Sequence, residues 1–137
     1  MRVIVDTNIV LDVLLARKPF VVAAANIFGL IEQSRIEGLL CATTFTTIDY
    51  LLTQSLPRPE SHEAIRKLLE LFEVAPVNRP VIEEAFQSRI LDFEDAILEQ
   101  AGRLAGANAI VTRNTRDFRN SSVKALEPDE LLSAIKK

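Results

Sequence analysis

The chain carries a single cysteine, Cys41, in 137 residues. A lone thiol closes no intramolecular disulfide and builds no multi-cysteine metal cluster, which fits a reducing, cytoplasmic setting. It also lacks a surplus of positive charge, since 16 Lys and Arg stand against 19 Asp and Glu for a net charge of -3. Modules that grip nucleic acid by charge alone are strongly basic, so any nucleic-acid role here has to rest on a defined site. Long apolar runs are missing as well. The most apolar window, Pro19 to Ile31, falls short of the roughly 20 residues that span a bilayer and is broken by Asn26. Near the N-terminus Asp6 ends the run after Val3-Ile4-Val5, so no secretory leader is read there and no membrane association is expected. The one histidine, His62, lies in Pro59-Glu60-Ser61-His62-Glu63 at a helix start and reads as exposed. No local signature supports a Ser-His-Asp triad. Repeats, low-complexity tracts and Gly/Ser-rich linkers are absent, and the 4 glycines and 6 prolines punctuate the chain without clustering.

What is present fits one folded unit. The 48% hydrophobic content is ample for a single packed core, and 26% charged residues is ordinary for a globular chain, so one domain over 1–137 is expected. Short apolar runs at Val3-Val5, Leu39-Ala42, Glu73-Ala75, Ala109-Val111 and Val123-Leu126 read as strands. Between them the apolar spacing predicts helices at about Asn8–Leu15, Val21–Ser34, Thr46–Leu56, Glu60–Phe72, Pro80–Arg89, Asp92–Ala105 and Pro128–Lys136. Pro128-Asp129-Glu130 supplies a helix start, and Gly106 a helix stop. Strands separated by helices imply a parallel sheet covered on both faces, with ligand sites beyond the carboxyl ends of the strands.

Acidic residues gather at those ends. The first strand runs into Asp6-Thr7-Asn8. Asp92-Phe93-Glu94-Asp95 opens a later helix, with Asp92, Asp95 and Glu99 on one side by their three- and four-residue spacings. Thr112-Arg113-Asn114-Thr115-Arg116-Asp117 follows another strand. Asp49 lies early in the helix after the second strand. Each acid has an ordinary explanation in helix capping, dipole stabilisation or turn formation. Capping does not explain a shared destination, and clustered carboxylates repel unless a cation or proton relieves them. Oxygen ligands of this kind suit Mg²⁺ or Mn²⁺, and such ions suit phosphodiester hydrolysis.

Four stretches, VIVDTNIVLDVLLARKPF, DFEDAILEQAG, IVTRNTRDF and LEPDELL, sample the chain in order and together resemble the PIN domains, a family that includes VapC-type toxins. The resemblance implies a three-layer α/β/α fold with a parallel sheet of about five strands, an acidic pocket for Mg²⁺ or Mn²⁺, and endoribonuclease activity on single-stranded RNA. It makes Asp6, Asp95 and Asp117 the expected metal-binding acids. Asn8, Thr112 and Asn114 are then expected to orient those ligands through hydrogen bonds. Asp49 completes the expected catalytic set, although many PIN nucleases have the longer Glu at the matching place. A homodimer and an inhibiting antitoxin that covers the pocket are further implications.

Other residues keep two readings. Arg113 and Arg116, with Arg119 and Arg17-Lys18 nearby, serve either as RNA phosphate contacts or as ordinary surface charge and ion pairs. Phe20 to Phe28 is more apolar than one core-facing stripe needs, which fits a helix–helix interface or a buried helix. Tyr50 and the 7 phenylalanines read as core. Two other functions stay open at this point: a nuclease-like binding or scaffold protein without turnover, and a phosphatase using a strand-end aspartate. Against the latter, Asp6-Thr7-Asn8 has no second nearby Asp for general acid catalysis.

Overall fold

The computed structural model describes residues 1–135. Five parallel strands, β1 (Arg2–Val5), β2 (Glu37–Cys41), β3 (Glu73–Ala75), β4 (Ala109–Val111) and β5 (Lys124–Leu126), form a sheet in the order β3-β2-β1-β4-β5. Seven helices connect them: α1 (Thr7–Leu14), α2 (Val21–Glu32), α3 (Ala42–Thr53), α4 (Arg58–Leu71), α5 (Arg79–Phe86), α6 (Phe93–Leu104) and α7 (Pro128–Ile135). A short 3₁₀ turn, Thr115–Phe118, follows β4. The chain builds outward from β1 through β2 to β3, then crosses to β4 on the opposite side of β1. The sheet's switch point therefore lies between the carboxyl ends of β1 and β4, where open α/β sheets bind ligands.

The strands show why both faces are covered. Val3 and Val5 point into one apolar cluster with Ile9, Ile27, Ile48, Leu68 and Leu131. Ile4, between them, points into the other, with Val81, Ala85, Ala96 and Ala101. This period of two places α1, α2, α3, α4 and α7 on one face and α5 and α6 on the other, the three-layer α/β/α arrangement of PIN domains. Gly102 sets how close α6 comes, because a Cβ there would stand 2.7 Å from Cγ2 of Ile4. Asp95 precedes Gly102 by seven residues, two helical turns, and so lies on the face that rests on β1.

The observed elements follow the sequence expectations closely, with two informative shifts. Helix α3 starts at Ala42, directly after β2 ends at Cys41. The threonines at 43, 44, 46 and 47 lower helix propensity, but Thr46 donates its hydroxyl to the Thr43 carbonyl at 2.8 Å, a bond that helical backbone accommodates. Helix α5 ends at Phe86, short of Arg89, because Ser88 turns inward to donate its hydroxyl to Glu99 at 2.6 Å. The expected last helix reaches Lys136, which lies outside the described residues. No described helix is long and apolar enough to cross a membrane.

Candidate metal and phosphodiester site

Asp6 is the first residue after β1, and its backbone N–H continues the ladder to the Val111 carbonyl at 2.9 Å. That bond fixes the carboxylate beside the end of β4. The side chain caps α1, accepting the Thr7 N–H at 2.8 Å through one oxygen, while the other accepts the Thr112 hydroxyl at 2.7 Å. Thr112 is fully buried and also accepts the Asn114 N–H at 3.0 Å, so one hydroxyl orients Asp6 and folds the loop after β4. Capping and a place in the site thus coexist in Asp6.

The acidic pocket, of about 290 Å³, is lined by Asp6, Thr7, Asn8, Leu11, Asp92, Glu94, Asp95, Asn114 and Asp117. Asp92 caps α6, accepting the Asp95 N–H at 2.9 Å, and thereby presents Asp95 on the helix's first turn. Phe118 is buried in the core, which anchors the 3₁₀ turn and leaves its neighbour Asp117 on the pocket wall. The Oδ1 atom of Asn8 is buried and has no hydrogen-bond partner among the described residues. An acceptor withdrawn from water in this way calls for a donor or a cation.

The electrostatics are those of an incomplete site. Burial, followed by the charges of Asp6, Asp92, Asp117 and Glu94, pushes the Asp95 carboxyl up to about 7. Burial also raises Asp6, against the hydrogen bonds from Thr112 and Thr7, with Glu94 and Asp117 adding to the rise. Like charges confined together favour the protonated form unless a cation replaces the proton. The donors are all oxygen, and the orphaned Asn8 amide oxygen adds a neutral one, so the set suits a hard divalent cation. Among the described residues no three acids form a ready-made metal cage. Mg²⁺ is commonly held by one or two carboxylates with waters and substrate phosphates completing its shell.

Sequence and structure part company at four residues. Asp49 does not line the pocket, and its carboxylate instead takes Arg58 at 3.1 Å. Because α3 begins at Ala42, Asp49 sits nearly two turns along the helix, roughly 10 Å beyond the strand end. Glu94 stands in the pocket in its stead and accepts the Thr47 hydroxyl at 3.4 Å. The sequence signal for Glu94 was the DFED run itself, where it read as one more first-turn acid. Arg113 is not free for phosphate: it donates to buried Asp12 at 2.7 and 3.3 Å, and its guanidinium stacks 3.9 Å over the Phe20 ring. Glu99 leaves the acidic group altogether. Four residues beyond Asp95 it is about 6 Å further down the helix, in the core, accepting from Ser88, Gln100 and Ser122.

A second cavity, of about 420 Å³, adjoins the first and shares Asp92, Asp95 and Asp117 with it; Arg89, Arg116 and Arg119 complete much of its wall. Arg116, unlike Arg113, is exposed there and makes no ion pair among the described residues.

Known proteins share this architecture. VapBC2 from Rickettsia felis, bound to a DNA fragment from its promoter, contains a similar chain: TM-score 0.74, 13% identity, over 93% of this chain and 98% of that one. FitAcB from Neisseria gonorrhoeae matches with TM-score 0.71 at 17% identity over 92% and 97% of the two chains. PAE2754 from Pyrobaculum aerophilum matches with TM-score 0.67 at 16% identity over 99% and 90%. No curated protein gives a significant match by sequence. At these identities the solved structures establish the fold. The family profile described as PIN domain matches residues 2–116, and on that match the chain belongs to the PIN-domain family.

Proposed function

We propose that this protein is a Mg²⁺- or Mn²⁺-dependent endoribonuclease acting on single-stranded RNA. The observation that carries the reading is Asp95, held near neutrality by burial and by four surrounding carboxylates at a sheet switch point. PIN nucleases generally use divalent metal ions, and the oxygen donors assembled here suit one. Asp6, Asp95 and Asp117 would hold it, with Asn8 lining the same pocket. A bound divalent ion supplies Lewis acidity toward a phosphodiester and lowers the pKa of water that it carries. Thr112 aims Asp6 through its hydroxyl, and the Asn114 N–H bond to the same hydroxyl folds the loop beside it. Asp49 has no part in this arrangement.

The same reading extends to partners. One of the solved structures with this fold is a toxin–antitoxin complex by description, which supports a toxin whose pocket a protein antitoxin covers. A homodimer is supported by the exposed apolar side chains at the start of α2, where Val22 is 68% and Phe20 40% accessible.

The test is cleavage of a single-stranded RNA with Mg²⁺, with Mn²⁺ and with chelator, by the wild type and by Asp95→Asn. The wild type is expected to cleave only with metal, and Asp95→Asn to lose at least about a hundredfold, since a metal ligand contributes several kcal/mol to the barrier. Equal cleavage by both proteins contradicts the assignment.

A further inference from the structure

We propose that the cavity walled by Arg89, Arg116 and Arg119 is the track of the RNA backbone beside the cleaved phosphodiester, with its walls held in register by buried Glu99. This rests on the ribonuclease reading and adds to it a phosphate-binding subsite and a positioning residue. The chain is acidic, and seven of its arginines are already paired with a carboxylate. Apart from Arg35, the arginines without an ion pair among the described residues are the three in this cavity. They share the cavity with Asp92, Asp95 and Asp117 and still make no bridge to them. Guanidinium groups left free beside an acidic metal pocket keep their donors for an anion that arrives from outside. Because Asp92, Asp95 and Asp117 line both spaces, a chain with a phosphate in the acidic pocket places its next phosphates in the arginine cavity.

The walls come from two separate loops, and one side chain joins them. Arg89 belongs to the segment between α5 and α6, and Arg119 to the segment between the 3₁₀ turn and β5. Glu99, 1% exposed, accepts the Ser88 hydroxyl at 2.6 Å through one oxygen and the Ser122 backbone N–H at 2.7 Å through the other. Ser88 also accepts the Ile90 N–H at 3.1 Å, so the residues on both sides of Arg89 are fixed by this one bond network. Flexible arginines mounted on two loops would spread apart without such a tie. Buried away from the pocket, the Glu99 carboxylate ties the two segments together through Ser88 and Ser122.

The experiment measures kcat and KM on a single-stranded RNA oligonucleotide for wild type, Arg89→Gln, Arg119→Gln, their double, and Arg79→Gln as a remote arginine control. Binding of the same oligonucleotide to each variant in an Asp95→Asn background, followed by anisotropy, reads the subsite without turnover. KM is expected to rise about threefold for each single and about tenfold for the double, with kcat within about twofold. The dependence of log affinity on log salt becomes shallower by about 0.7 for each arginine removed, and Arg79→Gln matches wild type. Ser88→Ala, which frees the Arg89 wall and keeps every charge, raises KM with an unchanged salt slope. Cleavage by wild type with unaltered KM and slope in the double overturns the subsite and leaves the ribonuclease reading standing. Absent cleavage with arginine-dependent RNA binding does the reverse. Binding of an acidic peptide, polyglutamate, in preference to RNA overturns the RNA track, and a fall in kcat alone for Ser88→Ala overturns the positioning role of Glu99.

Discussion

Two pairs of carboxylates withdrawn from water receive opposite treatment in this protein. Asp12 and Glu99 are more deeply buried, and the protein satisfies both completely. Arg113 and Arg17 face Asp12, while hydroxyl, amide and backbone donors surround Glu99. Burial works against the Glu99 charge, but the hydrogen bonds from Ser88, Gln100 and Ser122 prevail and hold it below the usual carboxylate range. Asp6 has one hydroxyl and one N–H, and among the described residues no side-chain donor serves Asp95. Burial alone therefore does not mark the site. A carboxylate left short of donors marks it, because something outside the chain has to complete it.

Removing a satisfied acid tests the first half of that contrast and has the largest expected effect. Asp12→Ala strands Arg113 and costs about 3 kcal/mol, a fall of roughly 10 °C in Tm by thermal unfolding. An unchanged Tm removes Asp12 from the structural pair. Removing an unsatisfied acid acts in the opposite direction. Asp95 keeps its proton in the native protein up to about pH 7, whereas the unfolded chain releases it near 3.8. Between those pH values the native state binds more protons, so metal-free wild type loses stability as pH rises through that window. Asp95→Asn escapes the loss. In chelator at pH 8 it is expected to be more stable than wild type by about 1 kcal/mol, after allowance for the solvent access of the pocket, and at pH 4 to match it. Equal stability at pH 8 contradicts the crowding of charge around Asp95. The smallest effect belongs to Asp49→Asn, which removes an exposed pair with Arg58 worth less than about 1 kcal/mol and leaves RNA cleavage within about twofold of wild type. A tenfold loss would return Asp49 to the site.

The contrast also shows what the sequence made legible. Short apolar runs such as Val3-Ile4-Val5 and the 3.6-residue apolar spacing between them identified the five strands and seven helices of the described residues, because buried strands and amphipathic helices leave those patterns. The shared destination of Asp6, Asp95 and Asp117 was read from two strand ends and one helix start, and all three line the same pocket. What sequence could not distinguish was the fate of neighbouring acids of like type. Glu99 and Asp95 differ by one helical turn, yet one is a clamp in the core and the other lines the pocket. The donors of Glu99 come from Ser88 and Ser122, which are distant in sequence from each other and carry no motif. Arg113 and Arg116 were equivalent in the TRNTRD run, and only the buried Asp12 on α1 separates them. Asp49 was displaced by a helix starting four residues earlier than its threonines implied.

The central claim is that the acids without internal partners are completed by a divalent cation. Its most direct measurement is a carboxyl-resolved NMR titration of Asp95, with Glu99 as internal reference, in chelator and in saturating Mg²⁺. The expected Asp95 midpoint is near 7 in chelator and falls into the ordinary carboxylate range with Mg²⁺, while Glu99 does not respond. An Asp95 midpoint that is the same with and without Mg²⁺ would contradict it.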